Sequence, residues 1–168
     1  MKIYIYGERT IPIINECYRL IYSNDNLEVV PRLDESDVAI APLLNEYIPE
    51  DRIYIPRHGT LIFHPSLLPR HRGSDSIKWA FKLGESYTGA TWFWANKGLD
   101  TGPICEMEVL AIKDGERPRD FYERAVIPSA IRQLEYILKD LQNGVIRKRP
   151  QIEENASYEM PLIKKYVK

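Results

Sequence analysis

Apolar positions change period along this chain, and the changes mark its elements. Residues 2–6 alternate as Lys2-Ile3-Tyr4-Ile5-Tyr6, the two-residue repeat of a strand, and Gly7 follows as a turn. Over residues 11–22 the repeat lengthens. Ile13, Ile14, Cys17, Tyr18, Leu20 and Ile21 recur at helical spacing, with Pro12 in the first turn, where its missing N–H is tolerated. Ser23-Asn24-Asp25-Asn26 is a loop, residues 27–31 a short strand, and residues 38–41 another strand behind the acidic loop Asp34-Glu35-Ser36-Asp37. Residues 60–63 form a buried strand ended by Pro65. Residues 74–83 form a helix with Ser74 or its neighbour as cap, a stripe of Ile77, Ala80 and Phe81, and Gly84 at its C′ position. Residues 88–95, with Thr91, Trp92, Phe93 and Trp94, and residues 103–112 are two more strands. The longest helix covers residues 118–142, its stripe running from Phe121 and Tyr122 through Ile131 and Leu134 to Leu141, with Pro128 bending or splitting it and Gly144 stopping it. From residue 147 to 168 the chain is polar and extended along the surface.

Strands alternate with helices through residue 112, so the expected fold is α/β, an open, mostly parallel sheet. In such sheets ligands bind beyond the carboxyl ends of the strands, which directs attention to the loops after residues 41, 63 and 95.

At 168 residues the chain has room for one domain with one core. A net charge of −1 gives no global basic footprint for nucleic acid. Cys17 and Cys105 are far apart, no CxxC is present, and the three histidines do not cluster, which argues against a disulfide scaffold or a metal site. The first apolar run is too short for a signal peptide or a membrane span, so a cytoplasmic protein without a membrane partner is expected.

Of the three loops, the one from Leu43 to Pro49 reads by itself as a plain connection. In the second, His64 follows a buried strand and Pro65 and Pro69 stiffen what comes after. A fixed imidazole polarises a carbonyl or shuttles a proton, although a core histidine bonded to a backbone carbonyl has the same local pattern. In the third, Gly98 and Gly102 bracket Asp100, a carboxylate able to orient His64 and accept a nucleophile's proton; an Asx-turn is the plainer alternative. Ser66 lacks an elbow motif and reads as a loop hydroxyl, and Cys105 as packing.

Together the motifs are more specific. His64-Pro65-Ser66-Leu67-Leu68-Pro69 with Arg70 and Gly73, followed by Gly98-Leu99-Asp100-Thr101-Gly102, resembles the signature of the folate-dependent formyltransferases. That family includes methionyl-tRNA formyltransferase, sugar N-formyltransferases and the hydrolase domain of 10-formyltetrahydrofolate dehydrogenase. Pro56-Arg57-His58-Gly59 and Phe93-Trp94-Ala95 look most like the last of these, and the resemblance covers about residues 37–160.

The resemblance implies a shortened Rossmann-like formyltransferase domain over residues 1–146, followed by an extended segment over 147–168. It implies 10-formyltetrahydrofolate as formyl donor, and either transfer to an amine or hydrolysis to formate. His64 and Asp100 match the family's histidine and aspartate. The family's asparagine position holds Ile62, which cannot donate a hydrogen bond to an oxyanion; losing such a donor costs about 3 kcal/mol in well-studied hydrolases. The dehydrogenase hydrolase domain resembles this chain in that isoleucine, so simple hydrolysis gains weight, and a weakly active or inactive folate-binding member is the alternative. The pterin is expected against Leu43, Leu44, Asn45, Tyr47 and Ile48 on one side and Ala95, Asn96, Gly98 and Leu99 on the other. Arg57, Arg70 and Arg72 are either a basic rim for the folate glutamate tail or solvated charges. One or two strand–helix units are expected to be missing before Asp37, and the sheet edge this leaves favours a homodimer. tRNA is not an expected partner.

Overall fold

The computed structural model describes residues 1–44 and 47–161. Strand β1 (Lys2–Ile5) buries Ile3 and Ile5, and helix α1 (Pro12–Tyr22) buries Ile13, Ile14, Cys17 and Ile21 along one stripe. Strand β2 (Glu28–Val29) is short. In β3 (Val38–Ala41) every residue is buried, as in a central strand covered on both faces. Helix α2 (Glu50–Ile53), β4 (Thr60–His64), β5 (Arg72–Gly73), α3 (Ser76–Lys82), β6 (Tyr87–Trp94) and β7 (Ile104–Ala111) follow. The chain continues through α4 (Pro118–Phe121) and α5 (Ile127–Gln142) to β8 (Tyr158–Glu159).

The main sheet has the order β2-β1-β3-β4-β6-β7. Its pairings are parallel from β2 to β4 and antiparallel from β4 to β6 to β7, a mostly parallel mixed sheet of an α/β domain. The mostly parallel expectation holds, but the alternating pattern in the sequence carries no information on strand direction and did not mark β6, the reversed strand of this sheet. Between β6 and β7 there is no helix, and a short direct connection requires an antiparallel pair. This has a consequence for the loop after β6. Trp94 lies opposite Leu61, and the Ala95 N–H bonds the Thr60 carbonyl at 2.8 Å, so the loop leaves at the opposite end of β4 from His64.

Helices α1 and α5 share one core with Ile3, Ile40, Leu61, Phe63 and Trp92. The fully buried Trp92 indole donates to the Ala130 carbonyl of α5 at 2.9 Å. The helix expected over residues 118–142 divides into α4 and α5, with Pro128 in the first turn of α5. A π-helical turn over Tyr122–Val126 comes just before it, and this wider turn accommodates a ring that would otherwise press on the carbonyl four residues back. Helix α3 has Asp75, the neighbour of Ser74, at its N-cap position, at φ 61°. It ends as expected: Gly84, at φ 68°, donates to the Phe81 carbonyl, and Glu85 to the Ala80 carbonyl.

The C-terminal segment is more than a surface tail. Arg149 exchanges two backbone hydrogen bonds with Ile104, the Trp94 indole donates to the Arg147 carbonyl, and β8 pairs in parallel with β5. Among the described residues, no helix is long and apolar enough to cross a membrane.

Two glycines separate close approach from backbone conformation. A Cβ on Gly102 would lie 1.7 Å from the Trp94 carbonyl oxygen, whereas one on Gly84 meets nothing within 4 Å and strains only the positive φ. Gly84→Ala is expected to cost about 1 kcal/mol and Gly102→Ala about 3 kcal/mol, read from urea unfolding midpoints at constant m-value.

Candidate active site

Along β4 the side chains alternate. Leu61 and Phe63 enter the helix-covered core, while Ile62 lies on the other face of the sheet, where it packs against the clusters of Ile48, Ile53 and Ala95 and of Leu68 and Phe93. The two-residue period puts His64, at the strand's end and 7% exposed, on the same face as Ile62. The chain then doubles back. Ser66 N–H bonds the His64 carbonyl, Ser66 Oγ donates to the Arg70 carbonyl at 2.7 Å, and Thr91 Oγ1 donates to the Ser66 carbonyl at 2.7 Å. Ser66 is therefore a structural hydroxyl. This closure brings the His71 carbonyl onto His64 Nε2 at 2.7 Å.

A carbonyl oxygen only accepts, so Nε2 carries the proton and Nδ1 of the neutral ring is a free lone pair. Nδ1 faces Asp100 Oδ2 at 3.6 Å, too far for a hydrogen bond but close enough for charge to act. Asp100 sits in the left-handed region at φ 52° and accepts the Gly73 N–H at 2.7 Å on Oδ2. Burial pushes the His64 pKa below the ordinary histidine value, against the opposing pull of the Asp100 charge and the bond to His71. The ring is thus neutral near pH 7, with its base facing a carboxylate.

These groups open onto a cleft of about 780 Å³. Leu43, Leu44, Tyr47, Ile48 and Ile62 line it with Asn96, Gly98, Leu99, Asp100 and His64, so most of the residues named from the sequence meet here. Ala95 does not. It is buried beneath the cleft with Ala41, Ile48 and Ile53, because its position continues the β4–β6 pairing. Asn45 lies outside the described residues. Asn96 Oδ1 accepts from Gly98 N–H at 3.0 Å and Thr101 Oγ1 at 2.9 Å, which orients the amide and leaves its N–H groups without a partner among the described residues.

The sequence reading missed the opposite wall, made by Gly73–Lys78, and the groups behind the site. Arg72 is fully buried and donates to Glu153, Tyr158 and Gln151. Gln151 in turn donates to the carbonyls of Asp100 and Gly102 at 2.8 and 2.7 Å. His71 is buried between Glu85 and Glu159. A basic rim of Arg70 and Arg72 does not form: Arg70 pairs with Glu85, and Arg72 is internal. Lys97 and Lys78 are exposed cations on the cleft; Lys78 pairs with Asp75, while Lys97 makes no ion pair among the described residues. Burial pushes up both cysteine thiols, Cys105 to about 12, so neither is a nucleophile near neutrality. Among the described residues no group of three or more His, Cys, Asp or Glu side chains is arranged to hold a metal ion.

A mixed α/β sheet on which a histidine and an aspartate meet over one face leaves the class of chemistry open. Sequence comparison narrows it: the formyl transferase family matches residues 20–129. The chain belongs to this family. It is 37% identical over 124 residues to the mitochondrial 10-formyltetrahydrofolate dehydrogenase of Mus musculus, covering 74% of this chain and 13% of that protein. The chain thus spans about an eighth of that relative's length. HypX from Aquifex aeolicus superposes with a TM-score of 0.83 at 23% identity, over 96% of this chain and 30% of that one. PseJ from Anoxybacillus kamchatkensis, a formyltransferase solved with a UDP-linked formamido sugar and tetrahydrofolate, superposes with a TM-score of 0.72 at 24% identity, over 94% and 84%.

The depressed His64 pKa fixes a pH signature. Between the unfolded histidine value of about 6.5 and the lower folded value, the unfolded chain binds a proton that the folded chain refuses. The stability present above pH 6.5 is therefore lost as pH falls through this window. Urea midpoints of the wild type minus those of His64→Gln, which keeps a donor for the His71 carbonyl, are expected to drop by on the order of 1 kcal/mol on acidification. A flat difference would contradict the burial argument.

Proposed function

We propose that this chain binds 10-formyltetrahydrofolate in the cleft and releases its formyl group to a nucleophile, with His64 and Asp100 as the reacting protein groups. The observation that carries the reading is the free Nδ1 of His64 set 3.6 Å from the Asp100 carboxylate on the cleft floor. Family membership and the tetrahydrofolate in the PseJ complex support the choice of donor.

The residues fit that molecule. Leu43, Leu44, Tyr47 and Ile48 offer an apolar wall for a flat heterocycle, and the Asn96 amide offers donors to its polar edge. Lys97, which makes no ion pair among the described residues, offers its charge to the carboxylates of the glutamate tail. The formyl carbon then lies over His64. A nucleophile O–H or N–H held by the Asp100 carboxylate attacks that carbon, and its proton passes to Nδ1. The imidazolium formed is stabilised by the Asp100 charge and presents Nδ1–H to the oxyanion. The same proton then goes to N10 as the carbon–N10 bond breaks, releasing tetrahydrofolate together with formate or a formamide.

Ile62 supports water over an amine as the working nucleophile. It places an alkyl side chain where a carboxamide would hold the oxyanion, so the slow step has one donor fewer. The same residue favours the second reading, a folate-binding member with little turnover.

The test is tetrahydrofolate release from 10-formyltetrahydrofolate, without acceptor and then with a panel of amines. His64→Ala and Asp100→Asn are each expected to lose at least about 100-fold in kcat. Wild-type kcat should decline on the acid side of the histidine range, as Nδ1 takes up a proton. Full turnover by Asp100→Asn would remove Asp100 from the mechanism. Folate binding with no release under any condition would establish the second reading.

A further inference from the structure

We propose that Gln151 is a positioning residue for the active site: its side-chain amide holds the backbone of the 95–103 loop so that the Asp100 carboxylate faces His64. The proposal rests on the reading that His64 and Asp100 perform the formyl chemistry.

The loop has a geometric problem. It leaves β6 at the Leu61 end of β4 and must return along the sheet to reach His64 at the other end. On its return it places Asp100 at φ 52° and presses Gly102 against the Trp94 carbonyl. The carboxylate does not hold itself in place through the imidazole, because 3.6 Å is not a hydrogen bond. Its position is set from behind, by groups that grip the backbone on either side.

Gln151 is built for that grip. Both contacts from Nε2, to the Asp100 and Gly102 carbonyls, are short, at 2.8 and 2.7 Å. Its Oε1 accepts from Arg72 Nε and Nη2 at 3.1 and 2.7 Å. A guanidinium only donates, so the oxygen must face Arg72 and the NH2 must face the loop; the amide cannot flip. Arg72 is itself locked by Glu153 and Tyr158. The same C-terminal segment secures the other contact of Asp100. Its strand β8 pairs with β5, and the Gly73 N–H of β5 bonds Oδ2. Residues 151–159 thus fix both the backbone and the carboxylate of Asp100.

Two substitutions separate positioning from a role in merely satisfying the buried arginine. Gln151→Glu keeps the acceptor for Arg72 but replaces the two donors with an oxygen facing two carbonyls. Gln151→Met removes both functions without adding charge. If Gln151 positions Asp100, both variants lose on the order of 100-fold in kcat for tetrahydrofolate release, with KM for 10-formyltetrahydrofolate within about threefold of wild type. In an Asp100→Asn background neither substitution lowers kcat further, since they act through the same group. A second readout needs no turnover: the NMR titration of His64 in the ligand-free protein. The groups around that ring are Asp100 and His71, with Glu85 and Glu159 beyond His71, and Gln151→Met alters none of their charges. Displacing Asp100 removes a charge that favours the imidazolium, so the midpoint falls in Gln151→Met as it does in Asp100→Asn, and the double variant falls no further. Urea midpoints show that each variant is folded; if Gln151→Met is not, Gln151→Glu, which retains the Arg72 contact, carries the kinetic test. Wild-type kcat in Gln151→Glu, or an unmoved His64 midpoint in Gln151→Met, overturns the inference. Unimpaired turnover in Asp100→Asn overturns instead the reading on which it rests.

Discussion

A buried imidazole that gives one N–H to a backbone carbonyl has no choice of tautomer, and at 2.7 Å the His71 carbonyl imposes that constraint on His64. The remaining nitrogen is a lone pair and it faces the cleft. In the proposed reaction the ring must therefore take up a proton at this nitrogen before it can donate one to an oxyanion. Burial keeps the resting ring neutral, and Asp100 is placed to stabilise the charged form when it appears. In the proposed reaction the two effects act at different stages, so they would not cancel in function as they partly do in the resting protein.

The constraint is maintained by a turn closed by backbone and hydroxyl groups. Ser66, Thr91 and the carbonyls of Ser66, Arg70 and His71 form these contacts. Behind it, Arg72 is a fully buried cation, an arrangement that stabilises only when its donors are matched. Glu153, Tyr158 and Gln151 match them, and all three lie on the C-terminal segment. Removing that segment would leave an uncompensated charge under the active site as well as a loose Asp100 loop. The site and the C-terminal strap are therefore one structural unit.

Ile62 fits this picture as an apolar side chain in a mainly apolar cleft. It packs against Ile48 and Ile53 on one side and Leu68 and Phe93 on the other, tying the two minor cores together. A polar residue there would need a partner of its own when no ligand is bound. The chain gains packing at this position and forgoes a donor.

Much of the fold was legible in the sequence, because strand and helix periods are local properties. The two-residue alternation in β1, the continuous apolar run of β4, the helical stripes in α1 and α5 and the glycine stop after α3 need only neighbouring residues to be read. The candidate site was legible for a related reason: His64 and Asp100 each lie in a short motif, and most of the cleft-lining residues belong to the loops beside them. Strand direction, by contrast, is decided by pairing between distant segments. The reversal at β6 therefore left no mark on periodicity, nor did the path by which Asp100 returns to His64. Gln151 was unreadable for the same reason. A lone glutamine in a polar stretch has no local signature, and its partners on the Asp100 loop are 51 and 49 residues away. The sequence by itself determined which side chains are available for the chemistry. Only the tertiary structure decided which nitrogen faces the carboxylate and what holds the carboxylate there, because hydrogen-bond geometry depends on segments that meet only in the folded chain.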